Sequence, residues 1–178
     1  MDTNRIKSSE SNAVDAEDFI SGMRHVPSVV TVVTMADDAG NWGITIGSFV
    51  SLSLDPPLIC FNVQKSIAIH DPLTAAETFV VHVLREDQSH YSDLFARSDI
   101  SRTEQFSGLG IVTDENGSPV LPDTLVTFYC RQHALLPGGD HSIVVGLVER
   151  VHNGNPGRPV VYHQRAYHGI GRHIADHL

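Results

Sequence analysis

The chain has 178 residues, 41% of them apolar and 19% charged, with a formal net charge of −9; that is enough for one domain with its own core, needing neither disulfide nor structural metal. The acidic balance and the lack of any Lys/Arg run argue against nucleic acid as a partner, and no run of 18 apolar residues is present to span a membrane. Two cysteines, Cys60 and Cys130, without CxxC spacing, fit a reduced, cytoplasmic compartment.

Residues 1–13 are polar, lack a signal-peptide core and read as a tail. One domain is expected over 14–171, and 172–178 form a second tail. Val14, Phe19, Ile20 and Met23 recur at helical spacing over 14–24, with acids early. Residues 28–35 are β-branched and predict a buried strand, followed by a hairpin turn at Asp37 to Asn41.

The stretch 42–54 reads as one strand, stopped by Pro56-Pro57. Thr45, Gly47, Ser51 and Ser53 share one parity, whereas Ile44, Ile46, Ser48, Val50, Leu52 and Leu54 share the other. A small, hydrogen-bonding face lets a flat ligand approach the backbone, which points to a cofactor-binding strand. Leu58 to Val63 is the next strand, Ser66 caps a helix to about Ala76, and Thr78 to Leu84 is again a strand. A helix is predicted over Asp87 to Arg97, and 98–122 reads as irregular, with the sequon-like Asn116-Gly117-Ser118 a plain turn. Leu125 to Leu135 and Ser142 to Val151 form a hairpin across Pro137-Gly138-Gly139-Asp140, and short strands at 160–162 and 167–170 follow. About seven strands joined by short turns, with two or three helices, favour an antiparallel β-barrel with peripheral helices.

Several chemistries are absent. GxGxxG, GxxxxGK, GxSxG and HExxH do not occur, so a nucleotide here is not held by a dinucleotide fingerprint or a phosphate loop. His173 and His177 stand four apart in a polar tail without a third ligand, which reads as solvated rather than as a metal site.

Three segments in order carry a wider pattern: Ser48-Phe49-Val50-Ser51-Leu52-Ser53-Leu54-Asp55-Pro56-Pro57, Phe95-Ala96-Arg97 and Gly139-Asp140-His141. With these, the chain from Met23 to about Gly169 resembles the short-chain flavin reductases, the reductase components of two-component flavin-dependent monooxygenases. The resemblance implies a mostly β fold with peripheral helices, an FMN-binding split β-barrel. It also implies a homodimer and NAD(P)H-dependent reduction of FMN or FAD for a partner monooxygenase. Two positions depart from the family's habit, Ser28 where glycine is common and His82 where asparagine is common.

In that light Thr45, Ile46, Gly47, Ser48 and Ser51 offer N–H and hydroxyl groups to an isoalloxazine edge and ribityl chain; a strand facing water is the plainer reading. Cys60, Phe61 and Asn62 end the neighbouring strand, Asn62 as a hydrogen-bonding group, with Phe61 more suited to the core and Cys60 more often a small buried hydrophobe than a nucleophile. Lys65 and Ser66 stand at an expected helix start suited to a phosphate. Arg97 and Arg102 suit a phosphate or pyrophosphate, a surface salt bridge being the plainer reading; Ala96 stands beside them, and Phe95 and Phe106 equally line the pocket or pack in the core. His141, oriented by Asp140, is the candidate catalytic group facing flavin and nicotinamide. Arg24, His25, Pro27, Tyr167 and His168 are candidates for the nicotinamide dinucleotide. FMN and FAD stay open, as do NADH and NADPH, although no arginine cluster marks a 2′-phosphate. Rival readings are a flavin-binding electron carrier without reductase activity, a pyridoxal-type amine oxidase on a related barrel, and a histidine metal module.

Overall fold

The computed structural model describes residues 13–171; the two histidines of the C-terminal tail lie outside them. Helix α1 (Ala16–Met23) precedes β1 (Ser28–Val29), β2 (Thr31–Asp37), β3 (Gly40–Ile46), β4 (Val50–Leu54) and β5 (Pro57–Gln64). Helix α2 (His70–Ala75), β6 (Thr78–Val83), a 3-10 turn at Glu86–Gln88, α3 (Ser89–Ala96) and α4 (Arg102–Phe106) follow. The chain continues through β7 (Val112–Thr113), β8 (Pro119–Val120), the long hairpin β9 (Val126–Gly138) and β10 (His141–Asn153), then β11 (Val160–His163) and β12 (Ala166–Gly169). The chain is thus mostly β-sheet with peripheral helices.

Seven strands form the main sheet in the order β3-β2-β6-β9-β10-β5-β4, all neighbours antiparallel. A three-stranded sheet, β1-β11-β12, and the pair β7-β8 complete it. The β-branched run at the first strand is explained by burial on both faces. Val33 and Met35 point into one core with Phe61, Phe79, Val81 and Val144. Val30 and Val32 point the other way, toward Leu84, Tyr91, Phe95 and Leu121. A strand covered on both sides has no need of polar alternation. Each valine buried there contributes about 1.5–3 kcal/mol.

Four expectations are corrected by the fold. The stretch 42–54 is two strands, not one: β3 pairs with β2, β4 pairs with β5, and residues 47–49 turn a corner between them. Glycine suits that corner, because a Cβ on Gly47 would lie 3.2 Å from Ser28 Oγ. The 28–35 strand likewise breaks at Val30. The helix expected from Ser66 begins only at His70; Pro72 is tolerated in a first turn but not in a helix interior. Residues 98–122 are not wholly irregular, since they hold α4, β7 and β8. Ser101 caps α4, its hydroxyl accepting from Glu104 N while the Glu104 carboxylate accepts from Ser101 N.

Candidate functional site

A cleft of about 570 Å³ runs along β3. Its walls are Trp42 to Ile46, the corner residues Gly47 and Ser48, the outward side chains Asn62 and Gln64 of β5, and the turn 67–69. The end of α3 and the segment after it close the other side with Phe95, Ala96, Arg97, Arg102 and Gln105, and His141 stands at the rim. β5 alternates Ile59, Phe61 and Val63 inward with Cys60, Asn62 and Gln64 outward, so the strand's own period presents Asn62 and Gln64 to the cleft.

Gly43 shows why a glycine opens β3 here. A Cβ at that position would lie 2.5 Å from two ring atoms of Phe95 and 3.1 Å from Phe106 Cζ. Those two rings meet edge-on, 5.1 Å between centroids, and press on the strand backbone. Gly43→Ala is expected to cost about 1–3 kcal/mol by overpacking. Urea unfolding checks this, and an unchanged midpoint would mean that Phe95 swings aside.

At one end of the cleft the Arg102 guanidinium lies 3.9 Å above the Trp42 ring. Its Nη1 is shut off from solvent and has no hydrogen-bond partner. A buried donor left unpaired costs about 1–3 kcal/mol, more when charged. Arg97 differs, because its Nε and Nη2 donate to Asp99 at 3.0 and 2.8 Å. That bonding holds the Asp99 carboxyl below its ordinary range and raises the Arg97 guanidinium.

At the rim, β9 and β10 meet in a turn whose Gly139 has φ +68°. Asp140 Oδ1 lies 2.8 Å from His141 Nδ1, which fixes the proton there and leaves Nε2 as the unengaged nitrogen. The same bond pulls the Asp140 carboxyl below its usual range. The turn is gripped from the β5 side. Lys65 N donates to Asp140 O at 3.0 Å, Lys65 Nζ donates to Gly139 O at 2.6 Å, and His70 Nε2 lies 2.9 Å from Ser142 Oγ.

A second cleft of about 590 Å³ lies between the end of α1, β1 and the β11–β12 turn. Phe19, Met23, Arg24, Pro27 and Arg165 line it, and Gly47 and Ser48 belong to both clefts. Ser48 Oγ accepts from Asn62 N at 2.9 Å, so its own O–H is available to donate.

Of the residues expected from sequence, Thr45, Ile46, Gly47, Ser48, Asn62, Phe95, Ala96, Arg97, Arg102 and His141 meet in the first cleft, while Arg24 and Pro27 meet in the second. The others do not. Thr45 itself is placed there, but its hydroxyl donates to Ser92 O at 2.6 Å. Ser51 lies on β4 beyond the corner. Cys60 lines neither cleft, and Phe61 is fully buried in the core against Phe79. Lys65 grips the His141 turn, and Ser66 heads no helix. Phe106 is buried under β3. His25 lies 3.4 Å from Gln164 Nε2 and lines neither cleft. The Tyr167 hydroxyl bonds to Asp93 and Ser92, tying β12 to α3, and exposed His168 bonds to His163 O. Among the described residues no group of three His, Cys, Asp or Glu is arranged to hold a metal.

The family described as "Flavin reductase like domain" matches residues 23–171. The chain belongs to this family. Among the flavin-reductase-like relatives, an NADH:FMN oxidoreductase of Rhodococcus qingshengii is 37% identical over 162 residues, covering 89% of this chain and 83% of the relative. The reductase component of 4-hydroxyphenylacetate 3-monooxygenase from Thermus thermophilus is 40% identical over 151 residues, covering 85% and 94%. The NADH:FAD oxidoreductase SgcE6 of Streptomyces globisporus C-1027, solved with NAD and FAD fragments, superposes with a TM-score of 0.79 at 30% identity, covering 93% and 98%.

The first cleft of this flavin-reductase-like chain suits a flavin nucleotide on its own chemistry. Its long wall is apolar and backbone-lined, its sides carry Ser48, Asn62 and Gln64, and its far end holds the half-buried Arg102 guanidinium, whose Nη1 has no partner and which suits a phosphate. Sequence reasoning passed over Trp42 and Gln64. Gln64 was detectable, since it shares Asn62's parity, and Trp42 is the chain's one tryptophan.

Proposed function

We propose that this chain is an NADH-dependent flavin reductase that reduces FMN or FAD and passes the reduced flavin to a partner monooxygenase. The observation that carries the reading is the pair of clefts sharing Gly47 and Ser48, the first ending in the unpaired Arg102 donor. When bound, the nicotinamide supplies a hydride and the flavin accepts it. The protein's part is to align two planar groups and exclude water. Backbone along β3 and the side chains of Ser48, Asn62 and Gln64 orient the ring, Arg102 holds the phosphate end, and Arg24 and Arg165 flank the second cleft. With Asp140 keeping the proton on Nδ1, His141 Nε2 can hold or give up a proton at the rim as charge develops.

The sheet's topology supports a closed split barrel. Seven strands spaced about 4.8 Å apart would set β3 and β4 about 29 Å from each other if flat. The three residues joining them reach about 14 Å at most, so the sheet curls until its edges approach. A homodimer accounts for the apolar surface left on one protomer: Val50, Leu52 and Leu54 on the edge strand β4, with Leu54 90% exposed, and Phe19, Ile20 and Met23 on α1. Cytoplasmic reducing conditions suit the free thiols of Cys60 and Cys130, and no helix among the described residues is long and apolar enough to cross a membrane.

The test is NADH and NADPH oxidation by purified protein with FMN, FAD or riboflavin added. Fast loss of NADH absorbance that depends on added flavin is expected. No consumption with any pair would remove the reading.

A further inference from the structure

We propose that Trp42 and Asp37 position Arg102 for a phosphorylated flavin, so that this pair sets the protein's preference for FMN over riboflavin. The inference rests on the flavin-reductase reading and adds residues that touch no reacting atom. A guanidinium is planar and carries its N–H donors in that plane. Pairing with a carboxylate occupies an edge of it, as Asp99 does to Arg97. Stacking on an aromatic face fixes the group while leaving the edge available. Arg102 is held in the second way, 3.9 Å over Trp42, and keeps Nη1 buried and without a partner.

The indole is itself braced. Trp42 Nε1 donates to Asp37 Oδ2 at 2.9 Å, and Asp37 Oδ1 accepts from Ala39 N at 2.9 Å across the β2–β3 hairpin. The acids nearest in the chain turn to other partners. Asp37 is bound to Trp42, Asp99 to Arg97, and Glu104 to Ser101. Among the described residues no carboxylate lies within ion-pair distance of Arg102, which leaves it to a ligand anion such as the flavin 5′-phosphate.

The experiment measures dissociation constants of FMN and riboflavin by flavin fluorescence quenching, for wild type, Trp42→Leu, Trp42→Phe, Asp37→Ala and Arg102→Met, with Trp42→Leu/Arg102→Met as the double variant. Riboflavin shares the ring and lacks the phosphate. Trp42→Leu is expected to weaken FMN about tenfold, the upper part of the range for a desolvated cation–π contact, and riboflavin less than twofold. Trp42→Phe should recover most of the loss, Asp37→Ala should show a smaller loss in the same direction, and Trp42→Leu should add nothing once Arg102 is Met. Equal weakening of both flavins, or additive losses in the double variant, would overturn the positioning role while leaving the flavin reading in place. Should Trp42→Leu fail to fold, Trp42→Phe and Asp37→Ala decide: no change in the FMN-to-riboflavin ratio in either overturns the role. Wild type that binds neither compound would overturn the flavin reading itself.

Discussion

His141→Ala is expected to lower kcat/KM for NADH by about 10²-fold or more, the scale of a lost general acid–base or positioning group, while the flavin dissociation constant moves less than about threefold. The asymmetry follows from placement. His141 stands at the rim, the first residue of β10 beside the two-residue turn that joins it to β9, whereas the flavin-facing contacts come from β3, β5 and the segment after α3. The turn is independently fastened by Lys65, through both its backbone N and its Nζ, and by the His70–Ser142 bond beside it. Removing the imidazole leaves those bonds intact. Asp140→Asn, which weakens the grip on Nδ1, should fall between wild type and His141→Ala. Anaerobic stopped-flow reduction separates the effects: hydride transfer should slow while flavin titrations stay nearly unchanged. A parallel loss of both would make His141 an architectural part of the turn.

Acid should unfold this protein through His82. The ring is completely buried, bonded at Nδ1 to Val32 O at 3.0 Å, and it accepts from Leu121 N at Nε2 at 3.2 Å. The second bond requires a neutral ring, because a protonated Nε2 would face another donor. Burial pushes the imidazole down to about 4, opposed in part by the bond to Val32. The folded value thus lies below the unfolded one, near 6.5. Stability from this group is fully present above pH 6.5 and is lost as the pH falls from 6.5 through 4, because the unfolded chain takes up the proton first. The whole interval corresponds to about 3 kcal/mol. Urea midpoints at pH 7, 5.5 and 4.5 should fall steeply for wild type and less for His82→Asn, which carries no titrating ring. Parallel declines in the two proteins would place the acid sensitivity elsewhere.

The elements legible in the sequence are those whose pattern reflects one dominant force. The run Val29-Val30-Thr31-Val32-Val33 announces two-sided burial, and the β9–β10 hairpin is written in its Gly138-Gly139-Asp140 turn. What the local pattern hid came from long-range pairing. Parity along 43–55 suggested one continuous polar face, yet the chain changes partner from β2 to β5 at residues 47–49, and Ser51 leaves the site with it. Lys65 looked like a phosphate ligand because a helix was expected to start beside it; the acceptor it finds, Gly139 O, lies 74 residues further along the chain. Tyr167 spends its hydroxyl on Ser92 and Asp93 of α3, partners 75 and 74 residues away in the chain. One miss was avoidable: Ser101-Arg102-Thr103-Glu104 is a capping box that marks α4, and α4 is what carries Arg102 to the cleft.

Gly47 and Ser48 form a party wall between the two clefts. A substitution at either residue is therefore expected to be felt in both clefts at once. By thermodynamic reciprocity, any coupling free energy between occupants of the two clefts acts equally in both directions.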